Sequence, residues 1–511
     1  MQTGSLAAKY SKMAEDRRVY LDRARDCSEL TLPALIPSEA FGKHDDLYQP
    51  FQSVGARGVN NLASKLLLLL LPPNQPFFRL SLDAGTEREM SEQAGVKAEV
   101  EKSLAEYERS VTKEIENKAL RPSIWEALKH LIVSGNVCLY FPPEGGVRVF
   151  ALNQFVVQRA PDGSILKMIT KEVVARQSLP EDHPEYKLEA TDDIDVYTCI
   201  YRTGDKYYVH QEAGGVLVEG SEGEYPLDLL PWIHLRMISV DHESYGRSFV
   251  DEYLGDLTSL EGLMRAMVES ATASSKVVFL VKPNATTRKK DLASAENGAV
   301  ITGSPDDVHS LQTEKFNDMR VVMEAVGRIE ERLSYAFLLH EAVQRDAERV
   351  TATEIRYLQE QIEGALGGVY SVLSQELQLP LVNQIMDRLT KERKLPKLPK
   401  ENVTPVIITG VEALGRGHDL NKLRGFLQDV MSLAQINPET IQRVEFGDLI
   451  KRLGTGHGID MNGLIKSEEQ IQEEQQMMQQ QAMQQQMMDA AQQSAPGVAR
   501  EVAKNSAPTQ Q

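Results

Sequence analysis

The chain has few cysteines, no long apolar run and no basic surplus, and each shortage excludes a class of function. Its three cysteines, Cys27, Cys138 and Cys199, are too few and too scattered for a disulfide framework or a metal knuckle. A reducing compartment is the expectation. The six-leucine run Leu66–Leu71 is far short of the roughly 20 residues a membrane span requires, and Pro72-Pro73 ends it. It reads as a buried helix end. The start, Met1-Gln-Thr-Gly-Ser, leads into charged Asp16-Arg17-Arg18 and not into an apolar signal core, so a soluble chain without a targeting segment is expected. With 56 Lys and Arg against 74 Asp and Glu, the net charge of −18 argues against a tight, sequence-general nucleic-acid binder. It leaves room for a protein that lies near DNA without gripping it.

Catalytic patterns are equally scarce. No Gly-x4-Gly-Lys-Ser/Thr phosphate loop occurs, and His242-Glu243 and His340-Glu341 each lack the second histidine of a zinc-protease helix. Gly220-Ser-Glu-Gly223 is one residue short of a nucleophile elbow. The glycine-rich Gly454-Thr-Gly-His-Gly458 follows no strand, and Thr191-Asp-Asp-Ile-Asp195 lacks a calcium-loop glycine. Glu330-Glu331 reads as a solvated helix face. No active site, metal or cofactor is expected.

The 511 residues suffice for about three domains. Leu6–Leu30 and Gln52–Leu71 carry helical apolar spacing, as does Val96–Val133, which Pro122 should split. Between Val137 and Val240 the period changes to short β-branched and aromatic runs. Phe155–Arg159 and Ile165–Thr170 flank the turn Pro161-Asp-Gly163, and Ile194–Arg202, Lys206–Gln211 and Val216–Glu219 continue an antiparallel meander, with a further strand at Ile233–Ile238. Arg247–Ser275 reads as one helix whose stripe Val250, Tyr253, Leu257, Leu260, Met264 and Met267 steps by 3 and 4. That is the spacing of a seam against a second helix, with Asp251, Glu252, Asp256, Glu261 and Glu269 on the other faces.

Asn317–Leu339 supplies that second helix, with Val322, Val326, Ile329, Leu333 and Ala336. The 41-residue insert Lys276–Phe316 should hold a strand at Val277–Val281, a basic loop Arg288-Lys289-Lys290 and a short strand near Ala299–Thr302. A polar stretch, His340–Val350, interleaves Arg345 and Arg349 with Asp346 and Glu348. Thr351-Ala-Thr-Glu354 then caps a helix towards Arg393 that Gly364, Gly367-Gly368 and Pro380 should kink. Lys391–Lys400 reads as an exposed connector and Asp419–Leu464 as helical. In Ser467–Gln493, 12 of 27 residues are Gln and 5 are Met, a helix credible only where neighbouring copies shelter it, and Ser494–Gln511 reads as disordered.

Several segments together resemble the portal proteins, the head-to-tail connectors of short-tailed bacteriophages. They include Gly55-Ala-Arg-Gly-Val-Asn-Asn-Leu-Ala-Ser-Lys65, Glu243-Ser-Tyr-Gly-Arg-Ser-Phe249, Tyr253-Leu-Gly-Asp-Leu257 and Ser334-Tyr-Ala-Phe337. Val343-Gln-Arg345, Glu348-Arg-Val-Thr351, Glu354-Ile-Arg356, Leu366-Gly-Gly-Val-Tyr-Ser371, Gln375-Glu-Leu-Gln-Leu-Pro-Leu381 and Gly415-Arg-Gly-His-Asp-Leu420 extend the likeness, which covers about residues 10–465.

The resemblance implies a mainly helical α+β portal fold, assembled as a ring of about twelve copies around a channel for double-stranded DNA. By that likeness residues 1–246 form the wing, 247–275 the first stem helix, 276–316 the clip and 317–339 the second stem helix. The tunnel loop is 340–351, a long kinked wing helix with its connector 352–400, the crown 401–466, and a Gln/Met-rich tail 467–511 holds a barrel helix and then a disordered end. Arg345 and Arg349 become the channel-facing candidates, and Arg288, Lys289 and Lys290 the candidates for docking the terminase large subunit and later the tail adaptors. Major capsid, scaffolding and internal core proteins are further implied partners, and no membrane is. The implied location is the portal vertex of a virion assembled in the host cytoplasm. A phage scaffold or adaptor that conducts no DNA is the competing reading, and an α+β phage enzyme would need an acid or histidine cluster that the sequence does not contain.

Overall fold

A computed structural model describes residues 5–82 apart from 40, 43–44 and 74–76, then 96–143, 145–186, 193–274, 278–311 and 316–339. It further describes 362, 364, 366–395, 403–406, 425–432 and 449. The chain divides into two units, Met1–Leu414 and Gly415–Gln511. In the second, residues 425–432 are helical and expose Phe426 and Met431.

In the first unit, helix α1 (Leu6–Glu29) starts where the Ser5 hydroxyl accepts the Ala8 amide. Its Arg17, in a run that looks solvent-facing by sequence, is buried and donates to the carbonyls of Leu152 (2.9 Å) and Phe155 (2.6 Å). Helix α2 (Val54–Leu70) buries Leu66, Leu69 and Leu70 in the main core. Helices α3 (Val96–Asn117) and α4 (Leu120–Ser134) are separate, as expected, but the break falls at Ala119, whose φ is 48°. Pro122 lies in the first turn of α4, where its missing N–H removes no intrahelical bond.

After β1 (Arg79–Leu82) and these helices, β2 (Asn136–Tyr140) and β3 (Arg148–Phe150) pair in a small sheet. The meander follows as β4 (Phe155–Arg159), β5 (Ile165–Ala175), β6 (Asp193–Thr203), β7 (Lys206–Ala213), β8 (Val216–Leu217) and β9 (Gly223–Pro226), in one six-stranded sheet. Its register sets Met168, Ile200 and Val209 abreast on one face, and Ile169 and Cys199 on the other under Leu6 and Tyr10 of α1. The alternation of period two thus buries both faces at the sheet's centre. Strand β10 (Trp232–Arg236) leaves this sheet and pairs with β2.

The join between β2 and the segment after β10 is a knot of buried hydrogen bonds. Gly135 takes φ 74°, and a Cβ there would meet the Arg247 carbonyl carbon at 2.4 Å. Asn136 Nδ2 donates to the Gly246 carbonyl and the Gly246 amide donates to Asn136 Oδ1, both at 2.7 Å. The Ser248 hydroxyl donates to the Ile132 carbonyl (3.0 Å) and accepts the Asp251 amide (3.2 Å), capping α5 (Phe249–Glu252). The Tyr245 hydroxyl accepts the Val157 amide at 3.0 Å. The segment Glu243–Phe249, prominent in the sequence, is therefore a structural joint.

Helix α6 (Leu254–Ser274) continues after a break at Tyr253, where a single helix was expected. Strands β11 (Val278–Val281) and β12 (Val308–Leu311) flank a short α7 (Lys289–Ala293), and α8 (Phe316–Ala336) returns. Past Gly367, with φ 56°, come α9 (Val369–Leu373), one π-helical turn (Ser374–Gln378) and α10 (Leu379–Lys391). Among the described residues the helix is interrupted at Gly367 and at the π turn, and Pro380 lies in the first turn of α10. In the π turn Glu376 accepts from Arg236 Nη2 at 2.5 Å and from the Arg236 amide at 3.1 Å, and Gln378 Nε2 donates to the Leu70 carbonyl at 2.7 Å. Strand β13 (Val403–Val406) pairs with β1.

Replacing Asn136 with Ala leaves the buried Gly246 amide and carbonyl without partners. Urea unfolding of Asn136→Ala is expected to show a loss of about 3 kcal/mol; a loss below about 0.5 kcal/mol would contradict the joint's importance.

Candidate functional site

The feature that stands apart is the hairpin of α6 and α8 with its β-stranded tip. At its root, Val250, Leu257 and Leu260 meet Val326, Leu333 and Phe337 in the main core. Arg332 Nη2 spans the two helices to Asp256 at 2.7 Å. The stripe read from the sequence is therefore a real seam. Towards the tip it becomes half-buried at Met264 and Met267. Val268 on α6 and Val321 (67 % exposed), Met323 and Tyr335 (69 % exposed) on α8 face outwards.

Two devices fix the root. Glu261, expected on a solvated acidic face, is buried instead. It accepts the Phe51 amide (2.9 Å), the Gln52 amide (3.2 Å) and the Tyr48 hydroxyl (2.7 Å), strapping the segment before α2 across α6. That carboxylate, helped by burial, pushes the Tyr48 phenol up to about 12. At the far end of α8, Leu338 adopts φ 54°. Asn61 Nδ2 donates to the carbonyls of Phe337 and Leu338, and Lys65 Nζ to that of Leu338, all at 2.9 Å. A cation at a helix C-terminus also favours the helix dipole. Gly58 lets the Phe337 ring approach; a Cβ on it would stand 2.5 Å from Cγ. Two of the sequence segments quoted above, Gly55–Lys65 and Ser334–Phe337, thus meet in one clasp.

At the tip, β11 and β12 pair antiparallel with Phe279 and Leu280 exposed. The second strand is Val308–Leu311 and not the expected Ala299–Thr302, which forms no strand. Asp307 accepts from the amides and hydroxyls of both Thr286 and Thr287, at 2.8–3.2 Å, and these bonds hold its carboxyl below the usual carboxylate range. Gly303 packs against Thr287, where a Cβ would come within 2.0 Å of Oγ1. The basic triplet follows at once and is not a loop: Arg288 precedes the first residue of α7, and Lys289 and Lys290 form its first turn. All three are exposed and make no ion pair among the described residues. The triplet is presented from a braced turn. The other candidates, Arg345 and Arg349, lie outside the described residues.

Among the described residues no group of three or more His, Cys, Asp or Glu can hold a metal ion, and no helix is long and apolar enough to cross a membrane. Asp195 of the acidic run Thr191–Asp195 pairs with Lys171 at 2.7 Å. The three cysteines are buried and free.

Residues 3–465 match the family described as bacteriophage head to tail connecting protein. This chain belongs to that family. The portal protein of Escherichia phage T7 is 42 % identical over 477 residues, 91 % of this chain and 88 % of the relative. The portal protein of Enterobacteria phage SP6 is 30 % identical over 98 % of both chains, and that of Pseudomonas phage phiKMV is 30 % identical over 88 % of this chain and 90 % of the relative. A chain from the neck of a native gene transfer agent particle aligns at a TM-score of 0.32 and 12 % identity, over 72 % of this chain and 85 % of that one, too loose a likeness to argue from. The head-to-tail connecting role inferred from the sequence stands.

Sequence reasoning missed Asn61, Lys65, Glu261 and Asp307. Asn61 and Lys65 did leave a trace: two polar groups four residues apart on a helix that is otherwise turning apolar. Asn61→Ala is expected to raise hydrogen exchange of the last amides of α8 about tenfold while β11 and β12 stay unchanged, a loss of about 1.4 kcal/mol. Unchanged exchange there would show that the clasp carries no load.

Proposed function

We propose that this chain is the subunit of a portal ring of about twelve copies that conducts double-stranded DNA into and out of a phage head. The observation that carries the reading is the connecting-family match across residues 3–465, with relatives named portal protein along nearly the whole chain. The α6–α8 hairpin supports it, because its outward apolar residues are the kind of surface a neighbouring copy covers. In this reading the hairpin is the stem, Lys276–Phe316 the clip, and His340–Val350 the tunnel loop. The subunit is a conduit and catalyses nothing.

Electrostatics suit a conduit. A duplex carries one charge per about 1.7 Å of axis, and firm arginine contacts would trap it. A chain of net charge −18, repeated around a channel, repels phosphate broadly. A few basic rings then centre or brake the DNA, and Arg345 and Arg349 are the residues assigned to them. The work of packaging belongs to a separate terminase ATPase, whose large subunit docks on the clip through Arg288, Lys289 and Lys290 before tail adaptors take the same surface. Capsid, scaffolding and internal core proteins meet other parts of the ring in the host cytoplasm.

Arg345→Gln with Arg349→Gln is expected to leave assembly intact and reduce retained DNA in a packaging assay; full retention would remove these two residues from the channel. Replacing Arg288, Lys289 and Lys290 with Ser is expected to lower ring-stimulated terminase turnover about tenfold at fixed ionic strength. Unchanged stimulation would remove the triplet from the docking surface.

A further inference from the structure

Beneath the β4–β5 turn lies a cavity of about 240 Å3 that the connecting role does not use. Its walls are the turn itself and the loop after β10, and Arg159, Asp162, Arg236, Asp241, Glu243 and Ser244 are among the residues that line it. Two guanidinium groups share this space, and one of them has no carboxylate partner among the described residues. Arg236 is matched by Glu376. Arg159 meets only neutral groups: Nη1 donates to the Gly163 carbonyl at 2.5 Å, and Nη2 donates to His234 Nδ1 at 2.6 Å and to the His234 carbonyl at 3.2 Å. Its buried Nε has no partner among the described residues.

His234 adds no negative charge. It is buried, and burial together with the two arginines holds its pKa well below the ordinary histidine value, so the ring is neutral and Nδ1 accepts. Burial also brings the Arg159 guanidinium down to about 10, although the nearby Glu376 carboxylate opposes the shift.

Three acids line the cavity, and two of them are held by other groups. Asp162 accepts from the Ser164 amide (2.9 Å) and hydroxyl (2.7 Å). Glu243 pairs with Arg247 at 2.6 Å. Asp241, exposed on the cavity lining, makes no ion pair among the described residues and competes for the site, as do the Asp162 and Glu243 carboxylates that line it too.

We propose that this cavity is an oxyanion site, in which a carboxylate or phosphate group seats between the guanidinium groups of Arg159 and Arg236. Bidentate Arg–oxyanion geometry would use Arg159 donors that now meet neutral partners or none, beside an Arg236 whose Nε and Nη2 Glu376 already holds. The oxyanion has two sources: a free phosphate ion, or an acidic side chain of a second copy of this chain. The first holds for a single copy. The second rests on the ring proposed above, so failure of the ring removes that source alone.

The test is scanning calorimetry of the full chain, as separated copies and as assembled material, with inorganic phosphate titrated against sodium chloride at matched ionic strength. Separated copies should show a saturable rise in the unfolding midpoint with phosphate, a larger rise in Asp241→Asn, and none in Arg159→Met. Should Arg159→Met fail to fold, the Asp241→Asn comparison and an electron-microscopy map of the wild-type assembly decide. An isolated oxyanion between Arg159 and Arg236 supports the free ion, and a carboxylate belonging to a second copy supports the other source. Asp241 seated on Arg159, an empty cavity, or equal responses to phosphate and chloride in both wild type and Asp241→Asn would overturn the site.

Discussion

The reciprocal hydrogen bonds between Asn136 and Gly246 are the contact on which the rest of the first unit depends. They fasten the start of β2 to the chain that is about to become the hairpin, at a place where Gly135 and Gly246 both have to lack a side chain for the approach. Ser248, two residues on, binds the end of α4 and caps α5, so the direction in which α6 leaves the body is set within a few residues. Glu261 and the Asn61–Lys65 clasp then hold the two helices at separate heights. A projecting element of this length needs such a root, because its own seam thins towards the tip.

That thinning has an energetic meaning. Burial of apolar area stabilises by about 25 cal/mol per Å2, and the core supplies it at Leu257, Leu260, Leu333 and Phe337. Val321, Met323, Tyr335 and Phe279 forgo it in a single copy. In the proposed ring that burial would be restored between copies, and the acidic surplus would keep a channel from gripping its DNA. Stability would thus come from neighbours and passage from repulsion.

Much of this was legible in the sequence because it rests on periodicity. The 3–4 spacing from Val250 to Met267 marked the seam, and the turn Pro161-Asp-Gly163 marked the first hairpin of the meander. Tertiary contacts decided what was not legible. Glu261 reads as one more acidic residue on a polar face until the Tyr48–Gln52 segment is laid over it. The strand at Val308–Leu311 is only four residues long, and its pairing with Val278–Val281 outweighs the β-branched Val300 and Ile301 that drew the assignment to the wrong place. Arg159 and His234 looked unremarkable because their environment is built by strands from two different sheets. The basic triplet was legible as charge, but its bracing by Asp307 was not.

The central claim is that the hairpin's open surface is covered by identical neighbours around a passage. Electron microscopy of the purified full-length chain tests it most directly. The account predicts closed rings with a central hole wide enough for a DNA duplex; monomers at all concentrations, or assemblies without an opening, would contradict it.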